Sequence, residues 1–250
     1  MPLSATLDHV GILTKNMQDM QLAFSALANS QNFQSPRNNP KNKQKIGIPQ
    51  SYFLEDCVPA VERTFWKSID ALREAGYIIV EDIEIQKTES IYRTRQTIQL
   101  SEMYWFYQDL VNSPDNKKLV GKDVMSFFER GSKVGMMELM LASRERLSII
   151  SCLSKAFQEV DFLAMPTCLT TAPKIDDILG RETVNIWWLL VRNSELFNLS
   201  GLPSLSIPTH RLDSSELPTA IEISGRALED ERLLQVGESI WKIIHASKSS

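Results

Sequence analysis

The chain has 250 residues, 43% of them hydrophobic and 23% charged, and carries a net charge of -4. That length suits one large domain or two small ones with a sizeable core, and the composition is that of a globular chain rather than a disordered or membrane one. The acidic balance offers no field for phosphate backbones, and lysines and arginines are scattered apart from Lys41, Lys43 and Lys45, so nucleic acid is not an expected partner.

The N-terminal MPLSATLDHVG has neither a basic region nor an apolar stretch, and no secretion signal is read there. Residues 16–29 carry Met17, Met20, Phe24 and Leu27 at helical spacing, with Asn16 and Asp19 placed as a capping pair, which predicts a first amphipathic helix. Residues 29–44 are rich in asparagine and hold two prolines, the composition of a surface loop. A short strand is expected over 45–49 (KIGIP), and Val58, Val61, Phe65, Ile69 and Leu72 then mark a helix closed by Gly76. A strand over 77–85 (YIIVEDIEI) follows, so strand, helix, strand predicts a βαβ unit with a parallel pair.

Helices are expected over 91–111, 122–130 and 136–157, with a break at SPDN. Strands are expected over 161–167, 203–209 and 218–225, each bounded by proline or glycine. The apolar window 186–190, with Trp187 and Trp188, ends at Arg192 and falls far short of the roughly 20 residues a bilayer requires. A last amphipathic helix over 229–245 presents Leu233, Val236, Ile240 and Ile243. The result is an α/β chain, a sheet covered by helices, with no membrane span. Cys57, Cys152 and Cys168 lie far apart without CxxC spacing, so reduced thiols and a cytoplasmic setting are expected.

Four stretches in order carry a more specific reading: LDHVGILT (7–14), DFLAMPTCLTTAPKI (161–175), NLSGLPSLSIPT (198–209) and LPTAIEISGRALEDERLLQVGESIW (217–241). Each alone is ordinary turn and strand chemistry. Together they resemble the C-terminal portion of the amidase signature family, which includes general amidases, fatty acid amide hydrolases and the A subunit of the glutamyl-tRNA amidotransferase. KIGIPQSYFLEDC is similar to the family's glycine-containing strand, and Arg146 falls 15 residues ahead of Asp161, matching the run the family carries before that strand. The resemblance implies the C-terminal part of an α/β/α fold with a mixed sheet. Residues 1–250 would then be a single partial domain without the catalytic N-terminal part.

Enzymes of this family hydrolyse amides with a serine nucleophile, a second serine in a cis peptide and a lysine that relays the proton. A serine hydroxyl is a weak nucleophile until a base takes its proton, and the oxyanion must be held by N–H donors on a glycine-rich loop. This sequence has no such loop; its Ser-Ser pairs, Ser214-Ser215 and Ser249-Ser250, lack flanking glycines. The resemblance places all three catalytic residues ahead of the LDHVG-like stretch, so no catalytic residue is expected in this chain. The expectation is an incomplete amide hydrolase that acts on a small-molecule amide when a partner chain supplies the other half, with no cofactor and no metal. Two alternatives stand beside it: a binding or regulatory module that keeps the cleft walls, and an enzyme with a different nucleophile, for which Cys168 is the candidate. No G-x-S-x-G elbow, H-E-x-x-H or phosphate loop is present, and His9, His210 and His245 are widely separated.

By the resemblance, Thr167, Cys168 and Leu169 line the substrate cleft. Arg146 either binds a substrate carboxylate, as in glutamine-using members, or is a solvated helix charge. Trp187, with Trp188 and Leu190, is either an apolar substrate wall or core. Asn198, Gly201 and Pro203 fix a turn, Asp8 anchors hydrogen bonds at the N-terminus and Gly11 forms a turn. Val191 stands where glutamine-using members carry an aspartate. Glu222 stands where the family usually has glutamine, and a carboxylate on a buried strand must find a partner or stay protonated.

Overall fold

A computed structural model describes residues 2–28, 44–178, 184–209 and 217–246. Residues 29–43 of the loop expected over 29–44, and His210, Ser214, Ser215, Ser249 and Ser250, lie outside the described residues. The chain divides into two compact units, one made of Met1–Val10, Gln86–Cys152 and Asn198–Gly201, the other of Gly11–Ile85, Leu153–Phe197 and Leu202–Ser250.

The second unit holds a five-stranded sheet. Its strands are β1 (Lys45–Ile48), β2 (Ile78–Glu81), β3 (Phe162–Pro166), β4 (Ser204–Pro208) and β5 (Ala220–Ser224), in the order β2-β1-β3-β5-β4. β1 runs parallel to β2 and β3, while β5 runs antiparallel to both β3 and β4. The βαβ reading therefore holds, and the sheet is mixed.

Side chains alternate between faces along a strand. Ile46, Ile48, Phe162, Ala164, Ile221, Ile223, Leu205 and Ile207 share one face and form a core with α1 (Met17–Leu27), α2 (Pro59–Glu74) and α9 (Asp230–Ala246). Full burial of such side chains contributes roughly 1.5–3 kcal/mol each. Asn16 caps α1 as its spacing with Asp19 predicts, its Oδ1 accepting from the Asp19 N–H at 2.8 Å. At the end of α2, Gly76 takes φ +99°, and the N–H groups of Gly76 and Tyr77 donate to the carbonyls of Arg73 and Leu72. This double closure turns the chain from helix into β2. Gly47 is required by packing: a Cβ there would lie 2.8 Å from Ile83 and 3.0 Å from Val160.

Two expected elements differ. The strand expected over 77–85 stops at Glu81, because Asp82 takes a left-handed φ of 59° and breaks the extended run even though the apolar alternation continues through Ile83 and Ile85. The expected break at SPDN forms a one-turn helix, α4 (Pro114–Lys117), with Pro114 in its first turn. A second one-turn helix, α7 (Ile175–Ile178), follows β3 ahead of α8 (Val184–Ser200).

The first unit is helical, built on α3 (Thr88–Asn112), α5 (Lys122–Gly131) and the first part of α6 (Met136–Glu159). Met103, Tyr107 and Val111 of α3 pack with Phe128 of α5. The N-terminal segment is tied to α3: Glu102 accepts from the Ser4 hydroxyl at 2.5 Å, the Thr6 N–H at 3.0 Å and the Thr6 hydroxyl at 2.7 Å, while the Tyr107 hydroxyl donates to the Pro2 carbonyl at 2.7 Å. Among the described residues, no helix is long and apolar enough to cross a membrane.

Candidate functional site

Parallel strands β1 and β3 end side by side, and open α/β sheets bind ligands beyond the carboxyl ends of such strands. Two connections leave from there. One runs from β1 through residues 49–57, where Tyr52 (φ 72°) and Asp56 (φ 59°) both adopt the left-handed region. For an aromatic residue that conformation is uncommon and must be held by its surroundings. The other leaves β3 through Thr167, Cys168 and Leu169.

The sequence candidates on this wall have distinct placements. The Thr167 N–H donates to Ala220 at 3.0 Å, and its hydroxyl pairs with that of Ser206 at 2.9 Å. Cys168 is half-buried and its thiol donates to the Leu190 carbonyl at 3.3 Å. Burial raises the pKa of this thiol above its ordinary value, and the nearby charge of Glu222 adds to the effect. A nucleophilic cysteine requires the opposite shift. We expect Cys168 to alkylate at least about tenfold more slowly than free cysteine at pH 7.5, as read by mass spectrometry after iodoacetamide; rapid labelling would restore it as a nucleophile. Cys57 is pushed up to about 11, chiefly by burial, and should also be slow.

Leu169 is fully buried, so its side chain serves packing rather than lining. Its N–H donates to Leu189 and its carbonyl accepts from the Val58 N–H, both at 2.9 Å. Trp187 on α8 is 65% exposed, which removes the core alternative within the described residues. Trp188 is partly buried and stands edge-on to Tyr52 at 6.3 Å between ring centroids.

Two residues of α8 organise the wall without having been singled out as site residues from the sequence. Arg192, read there only as the boundary of an apolar window, is buried over the Tyr52 ring at 5.1 Å, pairs with Asp56 at 3.2 Å and donates to the Glu55 carbonyl. Asn193, 1% exposed, donates through Nδ2 to the carbonyls of Pro166 at 2.7 Å and Phe53 at 3.1 Å. The only signal available in the sequence was a polar pair inside the apolar run WWLLVRNSELF.

Glu222 of β5 is the buried carboxylate that the sequence flagged. It is 3% exposed, and burial raises its pKa to about 7 despite a hydrogen bond with the Ser204 side chain. Among the described residues, its Oε2 has no hydrogen-bond partner. At neutral pH this group is poised between its two protonation states.

The remaining candidates are structural in placement. Arg146 belongs to the first unit, where Nε donates to the Leu199 carbonyl at 2.6 Å and a terminal nitrogen to the Thr6 carbonyl at 3.0 Å, so it is not a solvated helix charge. Asp8 anchors as expected, its Oδ2 accepting from the Leu3 and Ser4 N–H groups at 2.7 and 3.1 Å. Gly201 takes φ +73°, the backbone a turn at the end of α8 requires, whereas Asn198 is exposed on the last turn of that helix. The Pro203 carbonyl starts β4 by accepting from the Gly225 N–H at 3.2 Å. Gly11 differs from its expected role: it has no positive φ, and a Cβ there meets nothing within 4 Å, so the backbone does not require glycine.

The fold matches a known class. A crystal structure of an amidase superposes with a TM-score of 0.82 at 20% identity, covering 95% of this chain and 53% of that one, which defines the α/β fold as amidase-type. The Amidase family model matches residues 1–234, and the chain belongs to that family. The 2-amino-5-chloromuconic acid deaminase of Comamonas testosteroni is 26% identical over 253 residues, 97% of this chain and 53% of that protein. An amidase of Pseudomonas putida is 25% identical over 256 residues, 94% of this chain and 53% of its own length. The chain thus spans about half the length of the curated relatives it matches.

Proposed function

We propose that this chain supplies the substrate-wall half of an amide hydrolase, as one partial domain over residues 1–250, and that hydrolysis requires the serine, second serine and lysine of the family's other half. That half is either a separate chain or further sequence of the same polypeptide. The observation that carries this reading is coverage: nearly all of this chain matches, yet only 53% of each relative is accounted for. The chemistry agrees, because burial raises the pKa of the Cys168 thiol, the direction opposite to that of an activated cysteine nucleophile.

In this reading Thr167 and Trp187 face the substrate, Cys168 contributes a neutral polar edge and Leu169 buttresses them from beneath. Arg146, in the other compact unit, would bind an acid group only by exchanging one of its two carbonyl partners. Three free cysteines support a reducing, cytoplasmic setting.

The test is a comparison on a panel of small aliphatic and aromatic amides. The chain alone should show no turnover above buffer. The same chain fused behind the unmatched half of the Pseudomonas putida amidase should hydrolyse at least one member. Turnover by the chain alone, persisting after repurification, would sink the proposal.

A further inference from the structure

We propose that Glu222, with the hydroxyls of Thr167 and Ser206, forms a subsite for the primary ammonium group of a substrate. The subsite stands on its own geometry, and only the source of the ammonium rests on the proposed function above.

The three residues share one face of the sheet. Glu222 of β5 lies between Met165 of β3 and Ser206 of β4 in the two ladders, and directly opposed residues on neighbouring strands point to the same side. Thr167 lies two residues beyond Met165 and falls on that side by alternation, with its N–H bonded to Ala220, two residues before Glu222. The Thr167 and Ser206 hydroxyls meet at 2.9 Å, so they bridge from β3 to β4 across β5 beside Glu222. Ser206 is exposed and Thr167 half-buried, while Glu222 is 3% exposed. The carboxyl therefore lies one serine side chain away from the surface of the wall.

The chemistry of this cluster is one-sided. Among the described residues no lysine or arginine pairs with Glu222, and its Oε2 has no hydrogen-bond partner. Each hydroxyl brings one proton and two lone pairs. Ser204 spends its proton on the carboxylate, and Thr167 and Ser206 spend one proton between them. Acceptors then outnumber donors around a negative charge, and a buried oxygen of this kind is costly to leave unpaired.

The geometry also selects among cations. A guanidinium binds best through both carboxylate oxygens, and Ser204 already engages this carboxyl. Calcium and magnesium take larger sets of oxygens than one carboxylate and two hydroxyls provide. A primary ammonium places three N–H donors on one compact centre, which matches Oε2 of Glu222 and the oxygens of Ser206 and Thr167. It enters from the exposed Ser206 side by turning two short side chains apart, with no change of backbone. The Cys168 thiol feels the charge of Glu222, so the subsite adjoins the connection that leaves β3.

The experiment is a titration of the 250-residue chain with methylammonium chloride at pH 8.5, followed by the carboxyl carbon signal of Glu222 in glutamate-labelled protein. At that pH a carboxyl raised to about 7 is charged. The signal should move saturably with methylammonium. It should stay in place with tetramethylammonium or sodium at the same ionic strength, since neither carries an N–H donor. Glu222→Gln keeps the shape without the charge and should weaken methylammonium binding by about tenfold or more, as read by calorimetry. Thr167→Val, which removes one acceptor at a half-buried position, should weaken it to a smaller extent. In the fusion to the unmatched half of the Pseudomonas putida amidase, 5-aminopentanamide should be preferred over pentanamide by about tenfold or more in kcat/KM, and Glu222→Gln should erase that preference.

Equal movement with sodium, or unchanged binding in Glu222→Gln, would overturn the subsite. Binding of ammonium chloride with methylammonium excluded would assign the site to a free ion and overturn a substrate group as its occupant. Saturable methylammonium binding beside a fusion inactive on every amide would uphold the subsite and overturn the completion reading. An active fusion whose chain binds no methylammonium would overturn the subsite and leave the completion reading standing.

Discussion

Glu222→Gln should stabilise the chain at pH 8.5 by on the order of 3 kcal/mol and by almost nothing at pH 4.5. The carboxyl is raised from 4.5 to about 7 in the folded chain, chiefly by burial, with the Ser204 hydrogen bond opposing. A raised folded pKa means that the native state holds the proton more tightly than the unfolded state. Its contribution is therefore fully present below about pH 4.5 and is lost as pH rises through about 7. Glutamine keeps the shape and stays neutral, so it removes that loss. Urea unfolding of both proteins at several pH values reads the difference, and parallel pH profiles would show that Glu222 does not titrate in this window.

Asn193→Ala is expected to destabilise the chain by roughly 2–4 kcal/mol, combining unpaired carbonyls with a small cavity. The reason lies in the sheet. In the β3–β5 ladder the odd residues of β3 bond to β5, as the Thr167 donation to Ala220 shows, so the Pro166 carbonyl points toward β1. But β1 ends at Ile48, opposite Ala164 by register, and leaves that carbonyl without a strand partner. Asn193 replaces the missing strand at 2.7 Å and holds the Phe53 carbonyl with the same amide nitrogen at 3.1 Å. The measurement is the urea midpoint with an unchanged slope; a loss below about 1 kcal/mol would mean that water takes over both carbonyls.

What the sequence made legible was local. The Asn16 cap, the Gly76 closure and the apolar faces of α2 and α9 depend on neighbours within a turn or two, and spacing alone carries them. The family resemblance extended this to the strands around β3, β4 and β5. What stayed hidden depends on partners far along the chain. Asn193 meets Phe53 across 140 positions and Pro166 across 27, and a polar pair within an apolar helix does not announce which carbonyls it will serve. The end of β2 was hidden for a different reason: a single dihedral at Asp82 overrides an apolar alternation that continues past it. Arg146 was legible as a position worth singling out, yet its two carbonyl partners, Leu199 and Thr6, lie 53 and 140 positions away.

Leu169 joins three connections through two backbone hydrogen bonds, one to Leu189 on α8 and one from Val58 at the head of α2. Mechanically this is a knot: the exit of β3, the start of α2 and the middle of α8 cannot drift apart without breaking it. Under the proposed function, a wall tied in this way is ordered before a substrate arrives, so binding against it would carry little ordering penalty. Stiffness also limits how such a wall can diversify. Under the proposed function, new preferences would arise most readily by exchanging protruding side chains such as Trp187, and least readily by reshaping the loops that the knot secures.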